Sequence, residues 1–237
     1  MMRRSIGILV LLLNFGLMIG TSYAQEVAEQ HRERIKQLSP SIEKFEVEDA
    51  KNGVATGGIL FVGSSSFTRW YHLQESFPNH QVLNRGFGGS QLFDILYFFD
   101  RVVMPYKPCQ IFLYEGDNDI ASGMSPEEYL EDVITFVRLV EVKLPGTRIS
   151  ILSTKPSPAR VKWQTNYLKA NQLVRNYTET KPHLQYVDVA QILYDQKGVL
   201  RPELFVEDLI HLNKNGYDIW ESIIAPYLDD KALKTKK

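Results

Sequence analysis

The chain has 237 residues, a formal net charge of −1 and a single cysteine. A charge this close to neutral, with no basic stripe, argues against a nucleic-acid-binding protein. Cys109 has no partner for an internal disulfide, so the stability must come from a hydrophobic core. Cys109 lies between Pro108 and an apolar run, and we expect it to be buried and unreactive.

Residues 1–24 are predicted to form a signal peptide. Arg3 and Arg4 precede an apolar run over residues 6–19, and Ser22-Tyr23-Ala24 places small residues at positions −3 and −1 of a cleavage site. We therefore expect cleavage after Ala24 and export to the periplasm or the extracellular space. An uncleaved membrane anchor is the alternative, but a span needs roughly 20 apolar residues. We expect no membrane span in the mature chain.

Residues 25–52 are predicted to form an N-terminal helical extension. They are rich in Glu, Gln, Lys and Arg, with apolar residues at Ile35, Leu38, Ile42 and Phe45. The Ser39-Pro40 pair predicts a break in this helix. At the other end of the chain, the lysine-rich residues 231–237 are predicted to form a basic, solvated tail.

Between these segments, over residues 53–230, strand patterns alternate with helix patterns. Short apolar runs predict strands at 59–62, 81–84, 111–114, 148–152 and 184–189. Longer periodic segments predict helices at 92–103, 125–143, 163–180 and 213–224. Strands that alternate with helices of crossover length form parallel sheets covered on both faces. The sequence therefore predicts one α/β domain, a three-layer α/β/α sandwich with a central, mostly parallel five-stranded sheet.

Small and polar residues follow four of the predicted strands, in segments 63–66, 84–89, 115–119 and 153–158. Ligands of such sheets bind outside the carboxyl ends of the strands. Ser64, Ser65 and Ser66 follow the first strand, and Asp208-Leu209-Ile210-His211 lies near the C-terminus. Serine, imidazole and carboxylate are the groups that acyl-transfer enzymes need as nucleophile, base and orienting acid.

These segments resemble the motif blocks of the SGNH hydrolases, also called the GDSL esterase family, in the family's order and over residues 57–228. The resemblance implies a flavodoxin-like fold and a serine esterase. Its first block, Gly-Asp-Ser, matches Gly63-Ser64-Ser65 and implies that Ser65 is the nucleophile. Ser64 stands where the family usually has Asp, and the adjacent serines leave the nucleophile open by one position.

The other blocks supply the remaining roles by resemblance. Gly89 matches the glycine of the second block, and Asn118, in Gly116-Asp117-Asn118-Asp119, matches the asparagine of the third. With the N–H of Ser65, these two would form an oxyanion hole. Asp208 and His211 match the last block, Asp-x-x-His, and would complete the triad.

Each of these residues also has a structural interpretation. Ser65 could cap the helix after the first strand, Asn118 could be a turn residue or N-cap, and Asp208 with His211 could cap the last helix. Asp188, near the end of a strand, is a rival acid. Four aromatic residues could line an acyl pocket, stack on a sugar or pack in the core: Trp70, Tyr71, Phe87 and Trp163.

The leading hypothesis is a secreted or periplasmic esterase that removes small acyl groups, acetyl above all, from a carbohydrate or similar metabolite. Lipase-like, lysophospholipase or thioesterase activity on longer chains is the alternative, and an inactive carbohydrate- or partner-binding module is the second. No His, Cys or carboxylate set has metal-binding spacing, and no phosphate-binding loop is present. We expect no metal and no cofactor.

Overall fold

The computed structural model describes residues 31–229. The predicted signal peptide, residues 25–30 of the predicted extension and the predicted tail lie outside these residues. The first described helix, α1, covers residues 31–52 without interruption, so the predicted break at Ser39-Pro40 is wrong. The Ser39 hydroxyl donates to the Ile35 carbonyl (2.8 Å), one turn earlier. None of the helices described has the length and hydropathy needed to span a bilayer.

The remaining elements alternate as predicted. The strands are β1 (Ile59–Gly63), β2 (Val82–Gly86), β3 (Gln110–Tyr114), β4 (Arg148–Leu152) and β5 (Leu184–Val187). The helices are α2 (Ser65–Thr68), α3 (Leu73–Ser76), α4 (Leu92–Tyr97), α5 (Phe99–Val102), α6 (Asp117–Ala121), α7 (Pro126–Lys143), α8 (Gln164–Thr178) and α9 (Lys214–Ile224). Short 3₁₀ turns cover Met104–Tyr106, Pro158–Trp163, Gln191–Leu193, Pro202–Leu204 and Ala225–Tyr227.

The five strands form one parallel sheet in the order β2-β1-β3-β4-β5. The predicted α/β fold is therefore confirmed. The chain runs from β1 to β2 on one side and then crosses to β3 on the other side of β1. Strand order reverses at this point, and the loops after β1 and β3 diverge there to leave a crevice. The candidate nucleophile follows β1, and Asn118 follows β3.

Helices cover both faces of the sheet. On one face, α2, α3 and α9 enclose an aromatic cluster in which the rings of Phe61 and Phe112 stack 4.7 Å apart. On the other face, α4, α7 and α8 pack together, and Phe99 of α5 meets Phe136 of α7 edge to face. Burial on both faces explains why the strands have continuous apolar sequences rather than alternating ones.

Local signals set the helix ends. The Ser125 hydroxyl accepts the N–H of Glu128 (3.2 Å), and the Glu128 carboxylate accepts the N–H of Ser125 (2.8 Å), which is the expected capping box of α7. The predicted helix 92–103 is instead two short helices, because Phe98 leaves helical geometry (ψ 10°) and its ring packs against Phe87. Cys109 is half-buried, not fully buried as predicted.

The last part of α1, residues 42–52, packs on the α/β domain. Ile42 is fully buried. Arg85 of β2, also buried, donates to Asp49 (2.5 Å) and to the Tyr106 hydroxyl (2.7 Å), and its guanidinium lies 4.9 Å from the ring centre of Phe45. A buried guanidinium needs such partners, so residues 42–52 supply contacts that β2 requires.

Candidate active site

Ser65 and His211 lie 146 residues apart in sequence and are in hydrogen-bonding contact. The Ser65 hydroxyl lies 2.8 Å from His211 Nε2. Ser65 is the first residue of α2, directly after the turn that follows β1. A side chain on Gly63 would lie 2.1 Å from the Tyr114 carbonyl, so the turn requires glycine there. Ser64 and Ser66 are buried, and the contact with His211 is made by Ser65.

Asp208 contacts the other ring nitrogen of the His211 imidazole, Nδ1. Its Oδ2 lies 2.6 Å from His211 Nδ1, while its Oδ1 accepts the backbone N–H groups of Ile210 and His211, each at 2.9 Å. Burial disfavours the charged carboxylate, but the hydrogen bonds from the His211 backbone, its imidazole and the Ile210 backbone outweigh it. The pKa of Asp208 is therefore held well below its usual range.

The turn that carries Asp208 and His211 is held from several sides. Leu209 has a positive φ of 55°, which L-residues with large side chains rarely adopt. Its carbonyl accepts the Ala159 N–H (3.2 Å), and the His211 carbonyl accepts the Val206 N–H (2.8 Å). Tyr217 of α9 donates its hydroxyl to the Ser66 carbonyl (2.8 Å), so α9, which follows His211, is tied to α2, which carries Ser65.

The structure does not support the helix-capping interpretations of Ser65, Asn118 and the Asp208–His211 pair. The N-cap residues are Ser64 for α2, Gly116 for α6 and Asn213 for α9. Asp188 is engaged elsewhere, because it pairs with Arg175 and accepts the N–H groups of Ala190 and Gln191. The acid that contacts His211 is Asp208.

Gly89 and Asn118 line the same cavity as Ser65 and His211, about 330 Å³ in volume. Gly89 has φ +81°, and a Cβ there would have no atom within 4 Å, so glycine is required by the backbone and not by crowding. Asn118 Nδ2 donates to the Ser90 carbonyl (2.9 Å), and its Oδ1 accepts Arg160 Nη2 (2.9 Å). These two bonds fix the orientation of the amide, whose Nδ2 carries a second N–H.

A buried charged network lies behind Asn118. Lys155 Nζ lies 3.1 Å from Asp117 Oδ2, and both side chains are almost fully buried. Arg160 donates to the Asp117 carbonyl (2.9 Å) and lies 3.6 Å from its carboxylate. Burial alone would raise the pKa of Asp117, but the charges of Lys155 and Arg160 prevail and lower it. Asp117 is therefore ionised at neutral pH.

Two further buried acids surround the loop after β3. Glu115 accepts the Ser90 hydroxyl (2.6 Å), and burial followed by the charge of Asp119 raises its pKa well above the usual value. Asp119 accepts the N–H groups of Gly116 (2.9 Å) and Leu92 (2.8 Å). Burial raises the pKa of Asp119 to about 7 in spite of these two bonds. The start of α6, which carries Asn118, is thus held by polar contacts inside the protein.

Three lining residues of the cavity were missed by the sequence analysis: Thr68, Arg69 and Arg160. Arg69 is four residues after Ser65, so helical spacing could have indicated it. Arg160 comes two residues after segment 153–158, which the sequence already placed at the carboxyl end of a strand. Arg69 also lines a second cavity of about 680 Å³. Of the four open aromatic residues, Trp70 and Phe87 are buried, Trp163 is half-buried and Tyr71 is 80% exposed.

In the part of the chain that the structure describes, no group of three or more His, Cys, Asp or Glu side chains is arranged to hold a metal ion. Separately from this observation, the cavity and its immediate contacts present the protein groups described above. They comprise a hydroxyl, an imidazole, a carboxylate and N–H donors.

A sequence model of the GDSL-like Lipase/Acylhydrolase family matches residues 52–219. The match includes all five predicted site residues: Ser65, Gly89, Asn118, Asp208 and His211. The resemblance stated from the motif blocks is thereby confirmed.

Solved structures give the same fold. A Streptococcus pneumoniae protein named for platelet activating factor is 26% identical, with a TM-score of 0.72 over 87% of this chain and 99% of the other. A catalytic mutant of an acetylxylan esterase from Geobacillus stearothermophilus is 14% identical, with a TM-score of 0.59 over 77% and 99%.

One curated relative is much longer. The N-acylneuraminate cytidylyltransferase of Escherichia coli is 24% identical over 169 residues, which are 70% of this chain and 39% of that enzyme. This chain therefore spans less than half the length of that relative.

Proposed function

Because this chain belongs to the GDSL-like lipase/acylhydrolase family, we propose that it is a serine esterase in which Ser65, His211 and Asp208 form the catalytic triad. The observation that carries the proposal is the continuous contact from Ser65 Oγ to His211 Nε2 (2.8 Å) and from His211 Nδ1 to Asp208 Oδ2 (2.6 Å). Ser65 lines the cavity, so its hydroxyl is accessible to a substrate.

In the first half-reaction, Ser65 Oγ attacks the ester carbonyl carbon and its proton passes to His211 Nε2. Asp208, ionised at neutral pH, accepts the Nδ1 hydrogen and stabilises the imidazolium that forms. Collapse of the tetrahedral intermediate breaks the bond to the alcohol oxygen, which takes the proton from His211. Ser65 is left as an acyl ester. Water then attacks that ester with His211 as base, and the acid is released as Ser65 regains its proton.

The negative oxygen of the tetrahedral intermediate needs hydrogen-bond donors. The Ser65 N–H lies at the start of α2, where backbone N–H groups have no acceptor within the helix. Gly89 and the second Nδ2 hydrogen of Asn118 supply donors from the other side of the cavity. One donor of this kind is worth roughly 3–4 kcal/mol in the transition state.

We propose a small acyl group, with acetyl the best candidate. The lining of the 330 Å³ cavity is small or polar: Ser65, Thr68, Arg69, Gly88, Gly89, Asn118, Arg160 and His211. A long acyl chain gains affinity from apolar side chains, and these eight residues offer none. The same lining suits a polar alcohol, which supports a carbohydrate ester as substrate.

Initial rates with p-nitrophenyl acetate, butyrate and octanoate test both parts of the proposal. We expect acetate to be hydrolysed best and Ser65→Ala to lower kcat by at least about 10⁴-fold. Ser66→Ala is the matched control, because it also removes a serine hydroxyl, but from the neighbouring side chain, which is buried. Equal activity of wild type and Ser65→Ala would overturn the nucleophile, and faster turnover of octanoate would overturn the small acyl group. A folded wild type without activity would favour a binding module.

We also propose export by a signal peptide cleaved after Ala24, on the strength of the sequence pattern of residues 1–24. Expression of the full chain in a bacterial host, followed by N-terminal sequencing of the periplasmic fraction, tests it. A mature protein that begins at Gln25 is expected. Retention of residues 1–24 in the membrane fraction would favour the anchor instead.

A further inference from the structure

We propose that the second cavity, about 680 Å³ in volume, binds a sugar ring of the alcohol part of the substrate. We call it the side cavity, and it lies between residues 69–76 and the segment 206–221. This assignment rests on the proposed esterase function and adds a binding site for the sugar that the proposed substrate carries. It assigns a role to Tyr71, which takes no part in the chemistry.

The side cavity adjoins the triad through Arg69. This side chain lines both cavities, and its Nη1 lies 3.7 Å from Asp208 Oδ2. In the esterase reaction the carbonyl oxygen faces Gly89 and Asn118, whereas the alcohol leaves toward His211, which protonates it. Arg69 contacts the acid behind His211. An alcohol group that extends beyond His211 therefore reaches Arg69 and then the side cavity.

The apolar part of the side-cavity lining contains both aromatic and aliphatic side chains: Trp70, Tyr71, Val206, Leu212 and Tyr217. Trp70 and Tyr217 are buried, and their rings stack with centres 5.3 Å apart. Trp70 Nε1 donates to Ser76 Oγ (3.2 Å), which fixes the indole. Tyr71, by contrast, is 80% exposed. Its ring does not pack in the core, so an apolar ring face is available to a ligand.

Polar side chains also line the side cavity, and we call four of them, three of which are charged, its rim: His72, Glu75, Lys214 and Asp218. His72 pairs with Glu75, and Lys214 pairs with Asp218 (2.7 Å). All four side chains are largely exposed, so each has hydrogen-bonding capacity left for a ligand.

An aromatic face beside charged donors and acceptors suits a sugar, whose ring has apolar C–H faces and a rim of hydroxyl groups. An acyl chain could cover the apolar side chains, but it would offer no hydrogen-bond donor or acceptor to the polar groups of the rim. The volume lies in the range of small-molecule sites. The composition of the apolar lining and the rim therefore favours a sugar over a lipid chain.

The experiment compares two acetyl esters that differ in the alcohol. O-acetylated xylotriose reaches the side cavity if the proposal is correct, and p-nitrophenyl acetate carries no sugar. We expect Tyr71→Ala to lower the ratio of kcat/KM for the sugar ester over p-nitrophenyl acetate by about three- to ten-fold, mainly through KM. Tyr97→Ala is the matched control, because Tyr97 is also exposed but lies on α4, and it should leave that ratio unchanged.

Binding of unacetylated xylotriose gives a readout that is independent of turnover. Calorimetry with Ser65→Ala should detect the sugar, and Ser65→Ala/Tyr71→Ala should bind it more weakly. If p-nitrophenyl acetate is hydrolysed but Tyr71→Ala changes neither the ratio nor sugar binding, the side cavity is not a sugar site although the esterase stands. A selective loss of p-nitrophenyl octanoate turnover in Tyr71→Ala would make it an acyl site. If wild type hydrolyses no ester, the esterase fails, and calorimetry still decides the sugar site.

Discussion

Two hydrogen-bonded side-chain pairs lie near the candidate oxyanion hole, and they differ in burial. Asp208 is 37% exposed and pairs with His211 on a turn at the surface. Asp117 and Lys155 are 3% and 1% exposed, and they pair at the start of α6, the helix that carries Asn118. The first pair contacts the candidate nucleophile at the cavity, and the second lies inside the protein at the start of α6. Polar pairs around one site therefore contribute to different properties: breaking the exposed pair should change stability little, whereas removing one partner of the buried pair should lower it.

Asp208→Asn gives the largest expected effect, which is on activity, with only a small effect on stability. The amide cannot hold the imidazole in the productive tautomer or stabilise its charged form, so kcat should fall by about 10⁴-fold. The thermal midpoint should change little because the carboxylate is partly exposed. Steady-state kinetics and a thermal melt of the same preparation check this. A full loss of folding would place Asp208 with the buried pair.

Lys155→Met should act on stability. It leaves the Asp117 carboxylate buried without its nearest cation, and breaking a buried pair costs about 3–5 kcal/mol. Arg160 still lies 3.6 Å away, so we expect the lower end of that range. Urea unfolding measures it. The control Lys155→Met/Asp117→Asn should recover part of the loss, since no buried charge is left unpaired.

Asn118→Ala should lower kcat by about 10²–10³-fold, the cost of one oxyanion donor. Arg160→Ala should lower the same parameter by a smaller factor, because Arg160 acts through the Asn118 Oδ1 that it orients. Arg160→Lys retains the charge and should restore part of the loss. A rise in KM at constant kcat in Arg160→Ala would instead make Arg160 a substrate-binding residue.

The pH dependence of stability should differ between wild type and Asp208→Asn. The folded state lowers the pKa of Asp208, so its stabilising contribution is complete above the usual aspartate range and is lost as the pH falls through and below about 4. The gap in unfolding free energy between the two proteins should shrink from pH 6 to pH 3. Solvent screening keeps the gap small. A gap that widens toward low pH would contradict the lowered pKa.

Leu209→Gly gives the smallest effect. Leu209 has a positive φ and is 38% exposed, so glycine removes strain at little cost in burial. Glycine also loses more chain entropy on folding, and we expect a net gain below about 1 kcal/mol. Thermal melts at neutral pH measure it. A clear destabilisation would show that the Leu209 side chain packs more than its exposure indicates.

Much of the fold could be predicted from local patterns. Apolar runs identified all five strands, and the Ser125 capping box identified the start of α7. The predicted helix 92–103 was wrong as a single element because Phe98 turns its ring toward Phe87, a contact made 11 residues away in sequence. The predicted break at Ser39-Pro40 was wrong as well. The helix continues through Pro40, although proline has no backbone N–H to donate.

The sequence by itself determined the sheet, the family and the local Asp208–His211 turn. Periodicity and a three-residue spacing are short-range properties, and the order of the motif blocks is read directly along the chain. Only the tertiary structure decided which serine contacts His211. Ser64, Ser65 and Ser66 have identical side chains, and they differ in where the fold directs each hydroxyl. The tertiary structure also decided that Asp188 pairs with Arg175 and that Arg160 orients Asn118. Those contacts join residues that are 13 and 42 positions apart, and only chain packing brings them together.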